Sequence, residues 1–352
     1  MSAPHGAGSA PSNRRGRLPV VVLVVAVGLV GFGLAGERLV SWLMAPSSAE
    51  ADISRPTPTP TPLATSTYAA VFAGDATGAT DVTAALRTFL QSYNGQRVAL
   101  ATNGIYKVTQ LSFTASGLTV DFRGARIEGS LVGAYGILLV RSSSNIILND
   151  PHVVGTGYAW IGGESNPNQW EHGIEIDGGS NITLNSPKTR DTRGDGIYVG
   201  FQSGKTQPPT GVVINNPNVE RSARNGIAPV AGEVSIIGGH IYNSGLHGVD
   251  FEPNNDQGAQ SIVGVVDGVD IRTFQDLDVA GLTGYAVAAA GVNTATRPSI
   301  LIQNLTGDVL RMLIPDTAVL TVRNNVSDLE AIADFPGSDT VIFTDNVRIT
   351  RR

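Results

Sequence analysis

The chain has 352 residues, 42 of them glycine, with 15% charged and 41% hydrophobic residues; sparse charge and abundant glycine suit a β-rich fold with tight turns and argue against a helical bundle. A formal net charge of −6 argues against nucleic-acid binding, and the absence of cysteine removes disulfide frameworks, thiolate zinc sites and cysteine nucleophiles together. The length admits two domains, but a chain that grows by adding coils needs only one.

At the N-terminus Arg14, Arg15 and Arg17 precede an uncharged apolar run from Leu18 to Gly36. A helix rising about 1.5 Å per residue could cross roughly 30 Å of hydrocarbon over such a run, and the basic residues before it place the N-terminus inside. Ala49-Glu50-Ala51 has the small-x-small pattern of a cleaved signal but lies far beyond the run. The preferred reading is an uncleaved anchor: a short cytoplasmic N-terminus at 1–17, a transmembrane anchor region at 18–44, and a Pro/Thr-rich linker at 45–68. Either reading exports the rest of the chain. The linker contains Pro56-Thr57-Pro58-Thr59-Pro60-Thr61-Pro62, which cannot pair as a central strand and is expected to be an extended spacer.

From Asp81 to Ser92 the residues Val82, Ala85, Leu86, Phe89 and Leu90 fall at i, i+3, i+4, i+7 and i+8, the pattern of a one-sided helix. Its stripe suits a cap on the open end of a stack of strands. Strands are expected at Arg97 to Leu100, Leu111 to Phe113 and Leu118 to Phe122. One phrase then recurs: His172-Gly173-Ile174-Glu175-Ile176, Asp195-Gly196-Ile197-Tyr198-Val199, Asn225-Gly226-Ile227-Ala228 and His247-Gly248-Val249-Asp250-Phe251, with Gly136-Ile137-Leu138 as an earlier copy. An apolar triplet closed by Asn, Asp or Gly is interleaved: Ile146 to Asn149, Ile182 to Asn185, Val212 to Asn215, Ser235 to Gly238 and Gly264 to Asp267. Two strand phrases per period of roughly 22 to 37 residues imply a β-solenoid over 69–352.

Alternation sends Ile174, Ile176, Ile197, Val199, Ile227, Val249 and Phe251 inward and Glu175 and Asp177 outward. The glycines before these strands are read as tight bends. Asn149, Asn185 and Asn215 share one repeat position, as a ladder would. After about Phe274 the repeats weaken; Ser299 to Asn304, Leu320 to Asn324 and Thr340 to Phe343 still read as strands, in shorter and less regular coils.

Gly74-Asp75 through Thr80-Asp81-Val82-Thr83-Ala84-Ala85-Leu86, followed by Gly104-Ile105-Tyr106 and a strand, resembles the opening of the pectate-lyase-like superfamily. The resemblance covers about residues 70 to 350. It implies an all-β fold, a right-handed parallel β-helix with a short N-terminal capping helix, often acting on acidic or complex polysaccharides; the superfamily also holds epimerases and non-catalytic surface proteins. Gly194-Asp195-Gly196 and His247-Gly248 look like fragments of the polygalacturonase phrases Gly-Asp-Asp and Gly-His-Gly. Gly196 and Leu246 break those phrases, and no Asn-Thr-Asp or Arg-Ile-Lys counterpart is present, which argues against the standard polygalacturonase mechanism.

Outward positions collect polar groups: Glu175 and Asp177, then Tyr198, then Asp250 and Glu252. Carboxylates two residues apart on a strand are about 6.7 Å apart, within the range separating glycosidase acid and base. Asp250 and Glu252 are the preferred couple because His247 shares their coil, against a solvated acidic face. His172, Asp195, Asn225 and His247 share one position, so that a His beside Asp195 could be a base oriented by the carboxylate; turn hydrogen bonding explains them equally. Arg190, Arg193, Arg221 and Arg224 form a basic cluster able to hold a uronate or to pair with the acidic strand face. Insertions at Gly155 to Glu171, carrying Tyr158, Trp160 and Trp170, and at Gly200 to Gly211, with Phe201 and Lys205, could bind sugar rings or pack their aromatics against the coil wall.

The expected function is therefore an exported, membrane-anchored, polysaccharide-active protein, a hydrolase or lyase. Asp250, Glu252, His247, Asp195 and Arg224 are the catalytic candidates, and Glu175, Asp177, Tyr198, Trp160, Trp170, His172 and Arg193 the binding ones. A non-catalytic carbohydrate-binding module and an epimerase are the rivals. Asp177, Asp195 or Asp250 could hold calcium, but no dense ligand spacing marks a site. No metal or other cofactor is expected.

Overall fold

The chain divides into Met1–Leu63 and Ala64–Arg352. The computed structural model describes residues 67–133, 135–157, 168–201, 206–252, 262–272, 284–289, 298–313, 319–334, 340–344 and 350–351. The run expected to be an anchor and nearly all of the linker lie outside these residues. Among the described residues no helix is long and apolar enough to cross a membrane.

The described strands pair in parallel into a β-helix with three sheets, one strand of each per full coil. The second sheet has the longest ladder. Ala70, Val98, Val120, Leu148, Leu184, Ile214, Ile236, Val266, Ile302, Val322 and Phe343 are successive register partners. The first sheet stacks Leu111, Leu138, Ile174, Ile197, Ile227, Val249, Val287 and Met312. The third stacks Tyr106, Ile127, Val153, Thr189, Val219, Ile241 and Ile271. Alternation turns the side chains from Val98 to Val322, from Leu111 to Met312 and from Tyr106 to Ile271 in these ladders onto one axis, and each fully buried Val, Leu or Ile contributes about 1.5–3 kcal/mol of transfer free energy.

The third sheet lacks a phrase among those read from the sequence, and the earlier copy of the first phrase is shifted by one residue. Leu138 pairs with Ile174, so Ile137, not Gly136, corresponds to Gly173. The helix α1, Thr83–Ser92, buries Leu86 and Leu90 against the first coils, and Asp81 Oδ1 accepts the Thr83 amide hydrogen at its start, 2.8 Å away. Ala85, expected on the buried stripe, is exposed. The Gly-Asp opening is a closed turn: the Asp75 carboxylate accepts from the amides and hydroxyls of both Thr77 and Thr80, and those bonds hold its pKa well below the carboxylate range.

Toward the C-terminus one strand, Thr306–Leu313, serves two sheets. Thr306 pairs with Asp270 in the third and Met312 with Val287 in the first. No insertion separates the two, so the coil shortens as the fading repeats suggest.

The Asn position is a ladder. Asn149 Nδ2 donates to Asp121 Oδ1 (2.6 Å), Asn185 Nδ2 to Asn149 Oδ1 (2.8 Å), and Asn215 Nδ2 to Asn185 Oδ1 (3.0 Å). Ile237 ends it, since Ile237 rather than Gly238 is in register with Asn215. The next residue of each coil, Asp150, Ser186, Asn216, Gly238, Gly268, Asn304 or Asn324, has a φ between 48° and 69°, the left-handed region that favours Asn, Asp and Gly. Asn185→Ala removes one donor and one acceptor from the middle of the ladder and is expected to cost about 1–2 kcal/mol, measured by denaturant unfolding. An unchanged midpoint would show that water replaces both bonds.

Candidate functional site

The residues before the repeated glycines form a polar spine across successive coils. Asp195 N donates to His172 Nδ1 (3.1 Å), Asn225 N to Asp195 Oδ1 (2.9 Å), His247 N to Asn225 Oδ1 (3.2 Å) and Tyr285 N to His247 Nδ1 (3.1 Å). The position needs an acceptor within reach of the next coil's amide, which His, Asp and Asn all supply. An amide only donates, so both imidazoles accept at Nδ1 and carry their proton on Nε2. His172 Nδ1 also lies 3.2 Å from Asp195 Oδ2, but the backbone, not the carboxylate, sets its tautomer.

The outward acidic positions face away from the axis but are not solvated. Glu175 is 5% exposed, Asp177 and Asp250 1% each. Glu175 lies in register with Tyr198, and its Oε2 has no hydrogen-bond partner. Burial pushes the Glu175 pKa up. Asp177 accepts from Arg141 Nε (2.8 Å) and from the hydroxyl of Thr206 (2.7 Å). Tyr198 packs in a buried cluster with Ala228 and Val230 and stacks on His172 with centroids 4.5 Å apart.

Arg224 joins the two ends of this face. It lies 3.4 Å from Asp195 Oδ2 and 3.3 Å from Glu252 Oε1, with 15% of its side chain exposed. Burial opposes ionisation of Asp195, yet Arg224 and the Asn225 amide hold its pKa below the ordinary value; Asp195 in turn raises that of Arg224. Burial pushes Glu252 up, against Arg224. Burial first, then Arg224, lowers His247 to about 4, so its imidazole is neutral above that pH. His247 Nε2 lies 3.9 Å from Asp250 Oδ2.

Asp250 and Glu252 do not stand apart as strand geometry suggests; their carboxyls are hydrogen-bonded to each other. The strand Val249–Asp250 ends before Glu252, whose amide bonds to Pro229 O and whose carboxylate Arg224 draws back over the coil. Carboxyls in contact act as one unit sharing a proton rather than as an acid and base on either side of a bond.

The basic cluster splits. Arg221 holds Asp191 through Nε (2.6 Å) and Nη2 (3.0 Å), and Arg190 lies 3.4 Å from the same carboxylate. Arg224 reaches the acidic face at Glu252, whereas Arg193 turns to the first insertion. Arg193 Nε donates to Thr156 Oγ1 (2.9 Å) and lies 3.9 Å from Glu171 Oε2.

Glu171 is fully buried and was not among the sequence candidates. It accepts from the Thr156 amide (2.9 Å) and hydroxyl (2.8 Å) and from the Gly133 amide (3.1 Å), tying the start of the first insertion to an earlier turn. Arg141 was missed too, although an Arg at the repeat position of Asp177 could have signalled an ion pair between coils. Trp170 stays partly exposed and stacks on Tyr135, 6.3 Å away. Phe201 is buried. Tyr158, Trp160 and Lys205 lie outside the described residues. Among the described residues no cluster of His, Asp and Glu could hold a metal ion.

No family model matches this chain, and no curated protein does. Solved structures similar to it include PfbA, a surface adhesin of Streptococcus pneumoniae, at 10% identity over 75% of this chain and 83% of that one, with a TM-score of 0.37. The A-module of the Azotobacter vinelandii mannuronan C-5 epimerase AlgE6 is 13% identical over 80% of this chain and 96% of that one, with a TM-score of 0.31. The AlgE4 A-module is 12% identical over 80% and 98%, with a TM-score of 0.25. The parallel β-helix itself stands on the strand register of this chain.

Proposed function

We propose that the protein is an exported, membrane-anchored polysaccharide-active β-helix protein whose acid chemistry lies on the outward face of the first sheet. One observation carries the reading: within one connected cluster the Asp250 and Glu252 carboxyls are hydrogen-bonded, Arg224 bridges Glu252 to a wholly buried Asp195, and His247 Nε2 lies 3.9 Å from Asp250, with the pKa of Glu252 pushed up by burial and that of Asp195 held down by Arg224. Groups held in opposed protonation states are expensive to bury and are what proton transfer to a glycosidic or hydroxyl oxygen requires. The carboxyl pair supplies the proton, and Arg224 and Asp195 fix the local charge. Export rests on the basic residues and apolar run at 14–36.

A non-catalytic glycan-binding module is the second reading, favoured by Tyr198, Ala228 and Val230 filling part of the strand face. Incubation with acidic and neutral glycans, following reducing ends and the absorbance of unsaturated uronates, separates the two. Reducing ends alone indicate hydrolysis, both signals indicate elimination, and binding without either supports the module. Asp250→Asn and Glu252→Gln are each expected to lower turnover about a hundredfold, whereas Asp177→Asn, whose partners are Arg141 and Thr206, leaves it within a fewfold. Activity that survives both changes would remove the carboxyl pair from the chemistry.

A further inference from the structure

We infer that this face takes an uncharged polysaccharide, one of whose sugar rings rests on Tyr135 and Trp170; this builds on the glycan reading above and names its substrate class. Arginine recognises a uronate through a guanidinium edge whose charge is not already matched. Among the described residues the arginines of this face are all matched by carboxylates of the chain itself. Arg141 lies 2.8 Å from Asp177, Arg193 3.9 Å from Glu171, and Arg224 3.4 and 3.3 Å from Asp195 and Glu252. A substrate carboxylate would enter without a counter-ion, beside Glu175 and Glu252, whose surroundings already disfavour negative charge.

What the face does offer is ring surface. Tyr135 is 57% exposed and Trp170 40%, with planes 23° apart, and Leu131 and Val132 of the same turn are also exposed. Exposed apolar groups gathered in this way mark a binding surface, and flat rings suit the C–H face of a sugar. The series continues inward. Trp170 meets His172 edge-on at 6.3 Å, and His172 stacks on Tyr198. Glu175, in register with Tyr198, keeps an unpartnered buried Oε2, which can exchange a hydrogen bond with a sugar hydroxyl but would repel a uronate. Elimination and C5 epimerisation both remove a proton beside a substrate carboxylate, so an uncharged glycan leaves hydrolysis or binding alone.

Equilibrium binding of the full chain to soluble glucan, mannan and galactan, and to polygalacturonate and alginate, at low and high salt, tests this. A neutral glycan is expected to bind with affinity independent of salt, and Tyr135→Ala with Trp170→Ala to weaken it about tenfold with an unchanged circular dichroism spectrum. Tighter, salt-sensitive binding of a uronate polymer overturns the inference while leaving the protein a glycan binder. Neutral binding indifferent to the double substitution overturns the aromatic subsite. Binding of no glycan at all removes this inference and the function on which it rests.

Discussion

Replacing Arg224 by Met is expected to lower the stability of the protein at pH 7 by about 3–5 kcal/mol, the cost of leaving buried carboxylates without their counter-ion. Asp195 is wholly buried and Arg224 is the cation 3.4 Å from it; the same side chain holds Glu252. In the native protein the folded pKa of Asp195 is depressed, so its contribution is present above the unfolded carboxylate value, about 3.9, and is lost as pH falls through the folded value. Without Arg224 the bond from the Asn225 amide remains, but burial outweighs it and raises the folded pKa. The sign then reverses: the variant favours protonated Asp195 and loses stability as pH rises through the carboxylate range. The deficit relative to the native protein is therefore greatest at neutral pH and narrows as pH falls toward about 4. Arg221→Met is the control, since its guanidinium is 36% exposed against Asp191 and a surface pair is worth about 0–1 kcal/mol. Denaturant unfolding of both variants at several pH values checks the difference. A neutral-pH loss no larger than that of the control, or a deficit that widens in acid, would show that the cluster does not need its arginine.

How much of this was legible in the sequence depends on how many residues reported each face. In the second sheet Ile182 and Leu184, Val212 and Ile214, and Val234 and Ile236 point inward in alternation, and that phrase survives to the last coils. Beyond its first strand the third sheet gives one apolar inward residue per coil at most, such as Val219 or Ile241 among polar neighbours, too little for a periodic signal. The copy at Gly136 slipped because Ile137, Leu138, Leu139 and Val140 are all buried and apolar; with no polar outward residue, alternation cannot fix a register. At the site, sequence placed Asp195, Arg224, His247, Asp250 and Glu252 on one side of the solenoid. It could not show that Glu252 leaves the strand and meets Asp250, because period-two spacing holds only inside a sheet. Nor could it divide the arginines. Asp191 and Arg221 take φ values of 57° and 53°, and that turn separates Arg190 and Arg221 from Arg193 and Arg224.

The repeated glycine was read as a bend, and its reason is closer to the axis of the stack. At Gly173, Gly196 and Gly226 a Cβ would lie 2.6, 2.7 and 2.6 Å from the carbonyl oxygen of the glycine one coil further on. The requirement is close approach rather than a left-handed φ: each glycine admits the backbone of its neighbour, and the neighbour's glycine admits the next. At Gly196 the space is also bounded by Val219 Cγ1 at 2.4 Å and Ser222 Oγ at 2.8 Å, so an added side chain meets backbone and packed core together. Gly196→Val should cost about 3 kcal/mol or more, because the carbonyl cannot rotate away without breaking its bond from Ile197 N, 3.0 Å long. Gly196→Ala should cost less, through the same contacts. Gly95→Ala has nothing within 4 Å of its Cβ but a φ of 71°, so it isolates backbone strain at about 1 kcal/mol. Unfolding midpoints that rank Val, then Ala at 196, then Ala at 95 follow from coil contact. A Gly196→Ala cost no larger than that at Gly95 would return the repeat to a matter of bends. The spine of His172, Asp195, Asn225 and His247 depends on the same spacing, since each amide it accepts comes from the residue before one of these glycines or its counterpart. Widening the stack at Gly196 should therefore also loosen Arg224 and the carboxyls it holds, linking the repeat that builds the scaffold to the charges placed on it.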